Sequence, residues 1–399
     1  MAFNLTNLLA TLDSSIAALD SASELLEVLQ AINVTNSTKG HGKTQRKYYT
    51  SYASLPTADS AIRGMTAVVS TSQVDSGNGL YLCTGTTWTE IQDLDSAAGY
   101  SFQGSNFGYA SGGWNPLIPG ATNVIDKFPF ASDANASDVG DLTVARRHAA
   151  GQSSSENGYT SGGGTPQGSN VIDKFPFASD GNATDVGDLT GTRAQIAGQS
   201  SSENGYTSGG TGSAPTPIKN EIEKFLFASD GNATDVGDIT SARYGVAGQS
   251  STDNGYTSGG TIASFPSSQM RDIIDKFPFA SDANASDVGD LTLARANVSG
   301  QSSTDNGYTS GGDRGPSSYQ DIIDKFPFAS DANATDVGDL SLARSYVTGQ
   351  SSTVSGYSSG GLTPSLSNVI EKFPFASDAN ATDVGDLTLE KFGIAGQQY

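Results

Sequence analysis

The first apolar pattern along the chain has the spacing of an amphipathic helix. Between residues 2 and 33, apolar side chains recur at spacings near three and four, while Asp13 and Glu24 lie off the stripe. The stripe consists of Leu8, Leu12, Ile16, Leu19, Leu26 and Leu29. This pattern predicts a helix over residues 1–33, whose stripe packs either on its own domain or in a bundle that joins copies of the chain or attaches them to a larger assembly.

The next two segments predict a linker and a small β module. Residues 34–50 are polar and locally basic, which favours a solvated linker or, alternatively, a basic arm that docks on an acidic partner. In residues 51–97, "MTAVVSTS" and "GLYLCTGTTWTEI" have the patterns of strands, and the second contains a hairpin turn. Cys83 lies at an apolar strand position with no histidine nearby in sequence, so we expect a core residue rather than a nucleophile.

From residue 98 onward the chain is one repeat. The string "GYxSGG" occurs six times, and the string [DE]-K-F-x-F begins at residue 126 and returns at intervals of 47, 50, 52, 49 and 47 residues. Self-similarity with a period of about 50 residues is typical of propellers and solenoids.

Each period contains four short strand patterns. In the second period these are "AGQSS", "GYTS", "VIDKFPF" and a segment beginning "VGDLT", and an Asn-Gly pair between the first two predicts a tight hairpin turn with positive φ. No repeat has a helical period, which excludes a solenoid of helix pairs. The predicted fold class is therefore mainly β: a six-bladed β-propeller over residues 98–399, preceded by the helix and the small β module.

The two ends of the repeat predict a closed ring. The final "KFGIAGQQY" (391–399) aligns with "RYGVAGQSS" (243–251), which is a first strand, but no second strand follows it. We expect it to pair with the segment 108–113 and to complete the first blade, which removes exposed sheet edges. The competing donor of this strand is "AGYSF" at 98–102.

The order of these features resembles a kelch blade, and also the kelch-type central domain of galactose oxidase. In such repeats a glycine pair, an aromatic residue and an arginine hold neighbouring strands together; Gly162, Gly163, Phe175, Phe177 and Arg193 occupy these positions in one blade. The arginine position of other blades holds Arg146, Arg243, Arg295 and Arg344. The tryptophan usual in the fourth strand is absent, so the repeat is a divergent kelch-like one.

Two further resemblances concern viruses of bacteria. The near-identical copies of "DKFPFASDANATDVGDL" resemble repeats in structural proteins of marine bacteriophages, especially phages of cyanobacteria, over about 300 residues. The "GLYLCTGTTWTEI" hairpin resembles one that recurs in tail-fibre and other virion appendage proteins. Together they imply a virion structural protein.

Composition narrows the partners and the compartment. The chain has 42 Asp and Glu against 21 Lys and Arg, a net charge of −21, so nucleic acid and anionic membranes are not expected partners. It has no apolar run long enough to span a membrane and no basic, apolar start, so we expect no signal peptide, no membrane insertion and assembly in a host cytoplasm. The single cysteine excludes an internal disulfide.

The residues for catalysis are not expected to be present. Galactose oxidase chemistry requires copper held by histidines and tyrosines, but the predicted propeller has one histidine, His148, and no cysteine. We expect His148 and the linker residue His41 to be surface residues. The motif aspartates recur in every blade, whereas catalysis requires one asymmetric group of side chains. The sequence therefore predicts a protein that is not an enzyme and has no cofactor.

A calcium site is the alternative reading of the Asp/Asn-rich turn. Asp331, Asn333, Asp336 and Asp339 place oxygen atoms at positions 1, 3, 6 and 9 of the turn, whereas a calcium loop of the EF-hand type uses positions 1, 3 and 5 and a glutamate at 12. We expect these side chains instead to form hydrogen bonds with their own turn.

The segments that vary lie after each Gly-Gly pair. They differ in length and content from blade to blade, while the other turns barely change, and in a propeller they all emerge on one face. Recognition commonly uses loops held by a rigid scaffold, and Trp114, Phe265 and Tyr319 in three of these loops are candidates for sugar stacking or protein contact. Unconstrained drift of the loops is the alternative.

The expected function is that of a bacteriophage virion appendage or capsid decoration protein. The N-terminal region would bind other virion proteins or form a homo-oligomer, and the propeller would bind host glycan or protein. The alternatives are a cytosolic bacterial kelch scaffold that binds a protein partner, and a glycan-processing enzyme.

Overall fold

The computed structural model describes residues 102–117, 120–165, 167–212, 218–263 and 269–399, together with four short strands that precede them. The predicted helix over residues 1–33, with its leucine stripe, lies outside the described residues, as does most of the predicted linker. None of the residues that the structure describes forms a helix long and apolar enough to cross a membrane.

The chain divides into two compact units, Met1–Ala98 and Gly99–Tyr399. In the first unit, four strands form one sheet in sequence order: Lys47–Tyr49, Thr66–Val69, Gly79–Cys83 and Trp88–Asp93. The first pair is parallel and the other two pairs are antiparallel. The last two strands form the hairpin that the sequence predicts, with Cys83 opposite Trp88.

The second unit is a six-bladed β-propeller, as the repeat predicts. Each blade is a four-stranded antiparallel sheet in which the strands follow one another in sequence order, except that the C-terminal strand begins blade 1. The first strands lie around the axis at Ala395–Gln398, Ala150–Ser153, Ala197–Ser200, Ala247–Ser250, Ser299–Ser302 and Thr348–Ser351 for blades 1 to 6. The second strands are Phe107–Ser111, Asn157–Ser161, Asn204–Ser208, Asn254–Ser258, Asn306–Ser310 and Ser355–Ser359.

The outer half of each blade consists of the third and fourth strands. The third strands are Val124–Pro129, Gln167–Pro176, Glu221–Leu226, Ile273–Pro278, Ile322–Pro327 and Val369–Pro374. The fourth strands are Ser137–Asp141, Thr184–Ala194, Thr234–Asp238, Ser286–Asp290, Thr335–Asp339 and Thr382–Asp386. Two-residue strands in the loops lie at Trp114–Asn115, Gly120–Ala121, Gly164–Thr165 and Thr211–Gly212.

The C-terminus closes the ring. Strand Ala395–Gln398 is antiparallel to Phe107–Ser111, with Ala395 opposite Ser111 and Gln398 opposite Gly108. In addition, the Gln397 side-chain amide donates a hydrogen bond of 2.9 Å to the Tyr159 carbonyl in blade 2. The final strand therefore joins the first and second blades.

The apolar core is divided into layers between successive blades. In one layer Tyr159, Ile172 and Leu189 of blade 2 pack with Phe225 of blade 3. The Tyr159 ring lies 5.5 Å from Phe225 and 4.8 Å from Phe227, measured between ring centroids. Equivalent residues form the other layers, because every third strand carries its isoleucine and its first phenylalanine at buried positions.

The prediction that Asn-Gly forms the hairpin turn is wrong. In blade 3 the turn spans residues 201–204 and ends before Gly205. The Ser201 N–H donates to the Asn204 carbonyl (2.9 Å), and the Ser201 Oγ accepts the Asn204 N–H (3.0 Å). Gly205 is the second residue of the following strand and does not have positive φ. A Cβ on Gly205 would lie 2.3 Å from Cζ of Phe225. Glycine is thus required because an aromatic ring packs on the backbone there.

We expect Gly205→Ala to destabilise the propeller by about 1–3 kcal/mol, because the added methyl group overlaps the buried Phe225 ring. The matched control is Gly231→Ala, since a Cβ at Gly231 meets no atom within 4 Å, and its effect should stay within about 0.5 kcal/mol. Urea unfolding of both variants measures the difference. Equal midpoints for the two variants would show that the Phe225 ring does not require the glycine.

Candidate functional site

The two faces of the propeller are formed by different turns and loops. Because the four strands of a blade alternate in direction, the turns between strands 1 and 2 and between strands 3 and 4 lie on one face. We call this the constant face, since these turns repeat almost unchanged. The variable loops between strands 2 and 3, and the connections from each blade to the next, lie on the opposite, variable face.

The chain enters the propeller at its constant face. The Gly104 N–H donates to the Ser351 carbonyl (2.8 Å), and the Thr353 N–H donates to the Gly104 carbonyl (3.2 Å). The Gln103 amide donates to the Ser302 carbonyl (3.1 Å). Ser302 and Ser351 are the last residues of first strands, which end at the constant face. Residues 103 and 104 therefore lie on the constant face of the propeller, opposite the variable loops.

The Asp/Asn turns on the constant face connect neighbouring blades. Asp331 forms an ion pair with Lys276 of the preceding blade, and the Asn333 Oδ1 accepts the backbone N–H of Asp290 at 3.1 Å. Only Asp336 bonds within its own turn, to the Gly338 N–H at 3.2 Å. The expectation that all these side chains bond to their own turn is therefore wrong for Asp331 and Asn333.

The same ion pair recurs between every two blades and closes into a ring. Its members are Lys127–Asp180, Lys174–Asp230, Lys224–Asp282, Lys276–Asp331, Lys325–Asp378 and Lys372–Asp133.

The pKa of the fourth candidate calcium ligand, Asp339, is raised by burial and by Asp321 and Asp336. Within the described ranges, no three His, Cys, Asp or Glu side chains are grouped so that they could hold a metal ion.

We expect calcium to leave the thermal unfolding midpoint unchanged, because the Asp331 carboxylate is already paired with Lys276. Asp331→Asn should cost less than about 1 kcal/mol, as is usual for an exposed ion pair. Calorimetry with added calcium and with a chelator tests both points. A rise in the midpoint with calcium that Asp331→Asn abolishes would establish a calcium site.

Buried ion pairs join the blades on the variable side. Each basic residue lies after a fourth strand or, for Arg193, near its end, and pairs with the acid of the [DE]-K-F string in the next blade; both side chains are almost completely buried. The pairs are Arg146–Asp173, Arg193–Glu223, Arg243–Asp275, Arg295–Asp324, Arg344–Glu371 and Lys391–Asp126. The sequence predicted a structural role for the five arginines but missed Lys391, because "LEKF" stands where other blades have an arginine.

Two of the three aromatic candidates of the variable loops lie in the described residues, in the loops of different blades. Trp114 is half-buried in the loop of blade 1, and Tyr319 is half-buried in the loop of blade 5. Phe265 lies outside the described residues. Trp114 is tied to the last connection of the ring, because its N–H donates to the Phe392 carbonyl (2.9 Å) and the Phe392 N–H donates to its carbonyl (3.2 Å).

A ring of six residues surrounds the axis at the variable face. We call it the axial mouth, and its members are His148, Gln195, Gly245, Asn297, Tyr346 and Gly393. All six have φ between 56° and 67°. Each backbone N–H donates to the carbonyl of the neighbouring member at 2.6–3.1 Å, so the six hydrogen bonds close into a circle. The six residues share this backbone conformation but not their side chains: four positions hold four different side chains, and the other two are glycine.

Four members of the axial mouth carry a side chain at a backbone conformation that favours glycine. A non-glycine residue in this left-handed region costs on the order of 1–3 kcal/mol and is common at ligand sites. Two of the six positions, Gly245 and Gly393, avoid this cost. The fold therefore accepts glycine here, and the other side chains are retained in spite of strain.

The aromatic side chains are concentrated on one side of the axial mouth. The His148 ring lies 5.0 Å from Tyr346 and 5.8 Å from Phe392, and Tyr346 lies 5.5 Å from Phe392, between centroids. They meet because Gly393 has no side chain: a Cβ there would lie 2.7 Å from the His148 Nδ1. His148, expected on the surface from the sequence, is a half-buried member of an asymmetric cluster.

The environment keeps the titratable groups of this cluster uncharged. Burial, reinforced by the neighbouring Arg147 charge, lowers the pKa of His148 to about 3. Burial raises the pKa of Tyr346 to about 12, and the Asp313 carboxylate acts in the same direction. His148 and Tyr346 therefore offer neutral hydrogen-bonding groups near neutral pH.

Beneath the axial mouth lies a cavity of about 60 Å³. Its floor is a ring of six buried apolar residues, each directly before a first strand: Ala149, Ile196, Val246, Val298, Val347 and Ile394. An apolar floor under a polar and aromatic rim can accept a small ligand that has both kinds of surface.

Carboxylates outnumber cations on the variable face. In the described residues its partly or fully exposed cations are Arg147, Lys219, Arg271 and Arg314, whereas its carboxylates include Glu221, Asp272, Asp313, Asp321 and Glu390. The fourth strands also end at this face, each on or near a partly exposed aspartate, as the pairing of Asp238 with Glu221 shows. Arg147 is therefore one of few positive charges on an acidic face.

No model of a known protein family matches the chain, and no curated protein sequence matches it. The class defined by the fold is therefore that of a six-bladed β-propeller built from antiparallel four-stranded blades.

Proposed function

We propose that this protein is a bacteriophage virion structural protein that displays a kelch-like propeller for adhesion to host glycan or protein. It belongs to a tail fibre, a whisker or the capsid surface, and it is not an enzyme. The N-terminal region attaches it to other virion proteins or joins copies of the chain. The resemblance of the repeats and of the "GLYLCTGTTWTEI" hairpin to phage structural proteins supports this assignment.

One observation supports the display of the propeller in particular. The chain enters at the constant face through Gly104, which leaves the variable loops and the axial mouth on the opposite face. In this proposal the face that carries the variable loops and the axial mouth is the one that binds the host. Loops on a rigid scaffold are the usual place for recognition.

The kelch-like assignment is supported by the geometry of one blade boundary. Gly162 and Gly163 have φ of 65° and 93°, and a Cβ on Gly162 would lie 2.8 Å from the Arg193 carbonyl oxygen. The Arg193 guanidinium lies 2.7 Å from the Glu223 carboxylate of the next blade. The glycine pair and the arginine therefore hold adjacent strands and blades together, as the resemblance implies.

The test is to find the protein in purified virus particles and to locate it with an antibody against the propeller. We expect labelling of an external organ of the particle, and binding of the purified full-length protein to host cells that is reduced by loss of surface glycan or protein. Absence from particles, together with a stable complex with a cytosolic protein, would favour the kelch scaffold instead. Release of a shortened glycan product would favour an enzyme.

A further inference from the structure

One cation beside the axial mouth has no carboxylate partner. Arg147 directly precedes His148, and its guanidinium lies 4.2 Å from the ring centroid of Trp114. The described part of the chain has no carboxylate within ion-pair distance of it, although the protein has 42 acidic residues. Stacking on Trp114 orients the guanidinium, and an oriented guanidinium binds carboxylates through two parallel hydrogen bonds.

Arg147 belongs to the same cluster as the aromatic side of the axial mouth. Trp114, which lies under its guanidinium, is hydrogen-bonded to Phe392, and Phe392 contacts His148 and Tyr346. The Arg147 charge also acts on both of these rings, since it lowers the pKa of His148 and opposes the rise in the pKa of Tyr346. A carboxylate bound to Arg147 would therefore have an aromatic surface beside it.

The other side of the axial mouth offers a polar group. The Gln195 side-chain amide forms no hydrogen bond within the part of the chain that the structure describes, and the residue is half-buried at the cavity. Gln195 is also one of the residues that retain a side chain at positive φ, with φ of 57°. An amide beside an aromatic surface and a cation is complementary to the hydroxyl groups of a sugar.

We infer that the axial mouth and Arg147 bind one carboxylated pyranose, such as a terminal hexuronate of a host glycan. The carboxylate pairs with Arg147, the apolar side of the sugar ring lies on Tyr346 and His148, and Gln195 bonds to a hydroxyl group. The inference rests on the proposed adhesion function, for which it names the ligand class. A pyranose is larger than the cavity of about 60 Å³, so the sugar ring lies on the rim formed by Tyr346 and His148 and is not enclosed.

The ligands that test this differ only in the carboxylate: methyl glucuronide and methyl glucoside. Titration calorimetry or ligand-observed NMR with the full-length protein should show that the glucuronide binds about tenfold more tightly or better, as for other charge-assisted hydrogen bonds. Equal affinity for the two sugars would overturn the inference. Binding of a short peptide carboxylate as tight as that of the glucuronide would also overturn it, since the sugar ring would then contribute nothing.

Two variants separate the site from general effects of charge and folding. Arg147→Gln should lower glucuronide affinity about tenfold and leave glucoside affinity unchanged, whereas Arg314→Gln makes the same change of charge at an exposed loop position on the same face and should change neither. Tyr346→Gly should weaken binding of both sugars while the propeller stays folded, because two blades already have glycine at this position and the relief of backbone strain offsets part of the lost ring contacts. An equal loss of glucuronide affinity in Arg147→Gln and Arg314→Gln would contradict the site.

Failure of this inference can be distinguished from failure of the proposed function. If the protein is present in particles and binds host cells, but neither methyl glycoside competes, the ligand assignment is wrong and the adhesion function stands. If the glucuronide binds as expected but the protein is absent from particles, the site stands and the virion function is wrong.

Discussion

Deletion of residues 395–399 is expected to lower the free energy of unfolding by about 5 kcal/mol or more. A loss of this size is comparable with the total stability of a typical domain. The deletion removes the first strand of blade 1, which pairs with Phe107–Ser111. It also removes the hydrogen bond from Gln397 to the Tyr159 carbonyl and the buried residue Ala395. The open ring would expose the edge of Phe107–Ser111, and exposed edges promote aggregation.

Urea unfolding and size-exclusion chromatography of the truncated chain measure these two effects. Deletion of Tyr399 alone is the comparison: it removes the stacking on Phe177 and the backbone hydrogen bonds to Phe107 but leaves the strand Ala395–Gln398, so its loss of stability should be clearly smaller. A synthetic peptide of residues 391–399 added to the truncated chain should restore part of the lost stability. A truncated chain with an unchanged unfolding midpoint and no aggregation would show that blade 1 does not need its C-terminal strand.

The second large effect is expected for Arg243→Ala, with a loss of about 3–5 kcal/mol. The guanidinium lies 2.7 Å from the Asp275 carboxylate and donates to the Gly259 and Thr257 carbonyls, each at 2.9 Å. Both charged side chains are completely buried, so alanine leaves the Asp275 charge without its partner in a site without solvent. Loss of one partner of a buried pair is costly because the remaining charge is not hydrated.

A double-mutant cycle separates the pair from the other contacts of Arg243. The variant with both Arg243→Met and Asp275→Leu should lose much less stability than the sum of the two single variants, since it leaves no buried charge. The exposed pair is the control: Lys276→Ala should cost less than about 1 kcal/mol, because Asp331 stays hydrated. If the double variant loses as much stability as the two single variants together, the two side chains contribute independently, and the expected coupling between them is absent.

Local patterns predicted the strands because strands depend on neighbouring residues in sequence. The alternation in "VIDKFPF" places one side of the third strand in the core, and in blade 2 this strand ends at Pro176. The conformation of the Asn-Gly pair could not be predicted from the local sequence pattern. The pattern is typical of a turn, but the Phe225 ring of another strand decides that Gly205 lies in an extended strand.

Contacts between blades were harder to predict, because they join residues about 50 positions apart. The turn aspartates have the composition of a self-bonded turn or a metal loop, yet Asp331 pairs with Lys276 of the preceding blade. Lys391 could have been found by aligning it with Arg243 in the repeat, since both precede a first strand by the same distance. The position alone, however, does not show that its partner is Asp126.

The sequence by itself determined the number of blades and the four strands of each blade, because both follow from a periodicity that can be counted. It favoured the C-terminus over residues 98–102 as the strand that closes the ring, and the pairing of Ala395–Gln398 with the strand Phe107–Ser111 confirms this. Only the tertiary structure decided which unlike residues meet at the axis. His148 and Tyr346 are about 200 residues apart and lie in ordinary positions of their own repeats. They become neighbours because closure of the ring places the last blades beside the first, and because Gly393 leaves the space between them open.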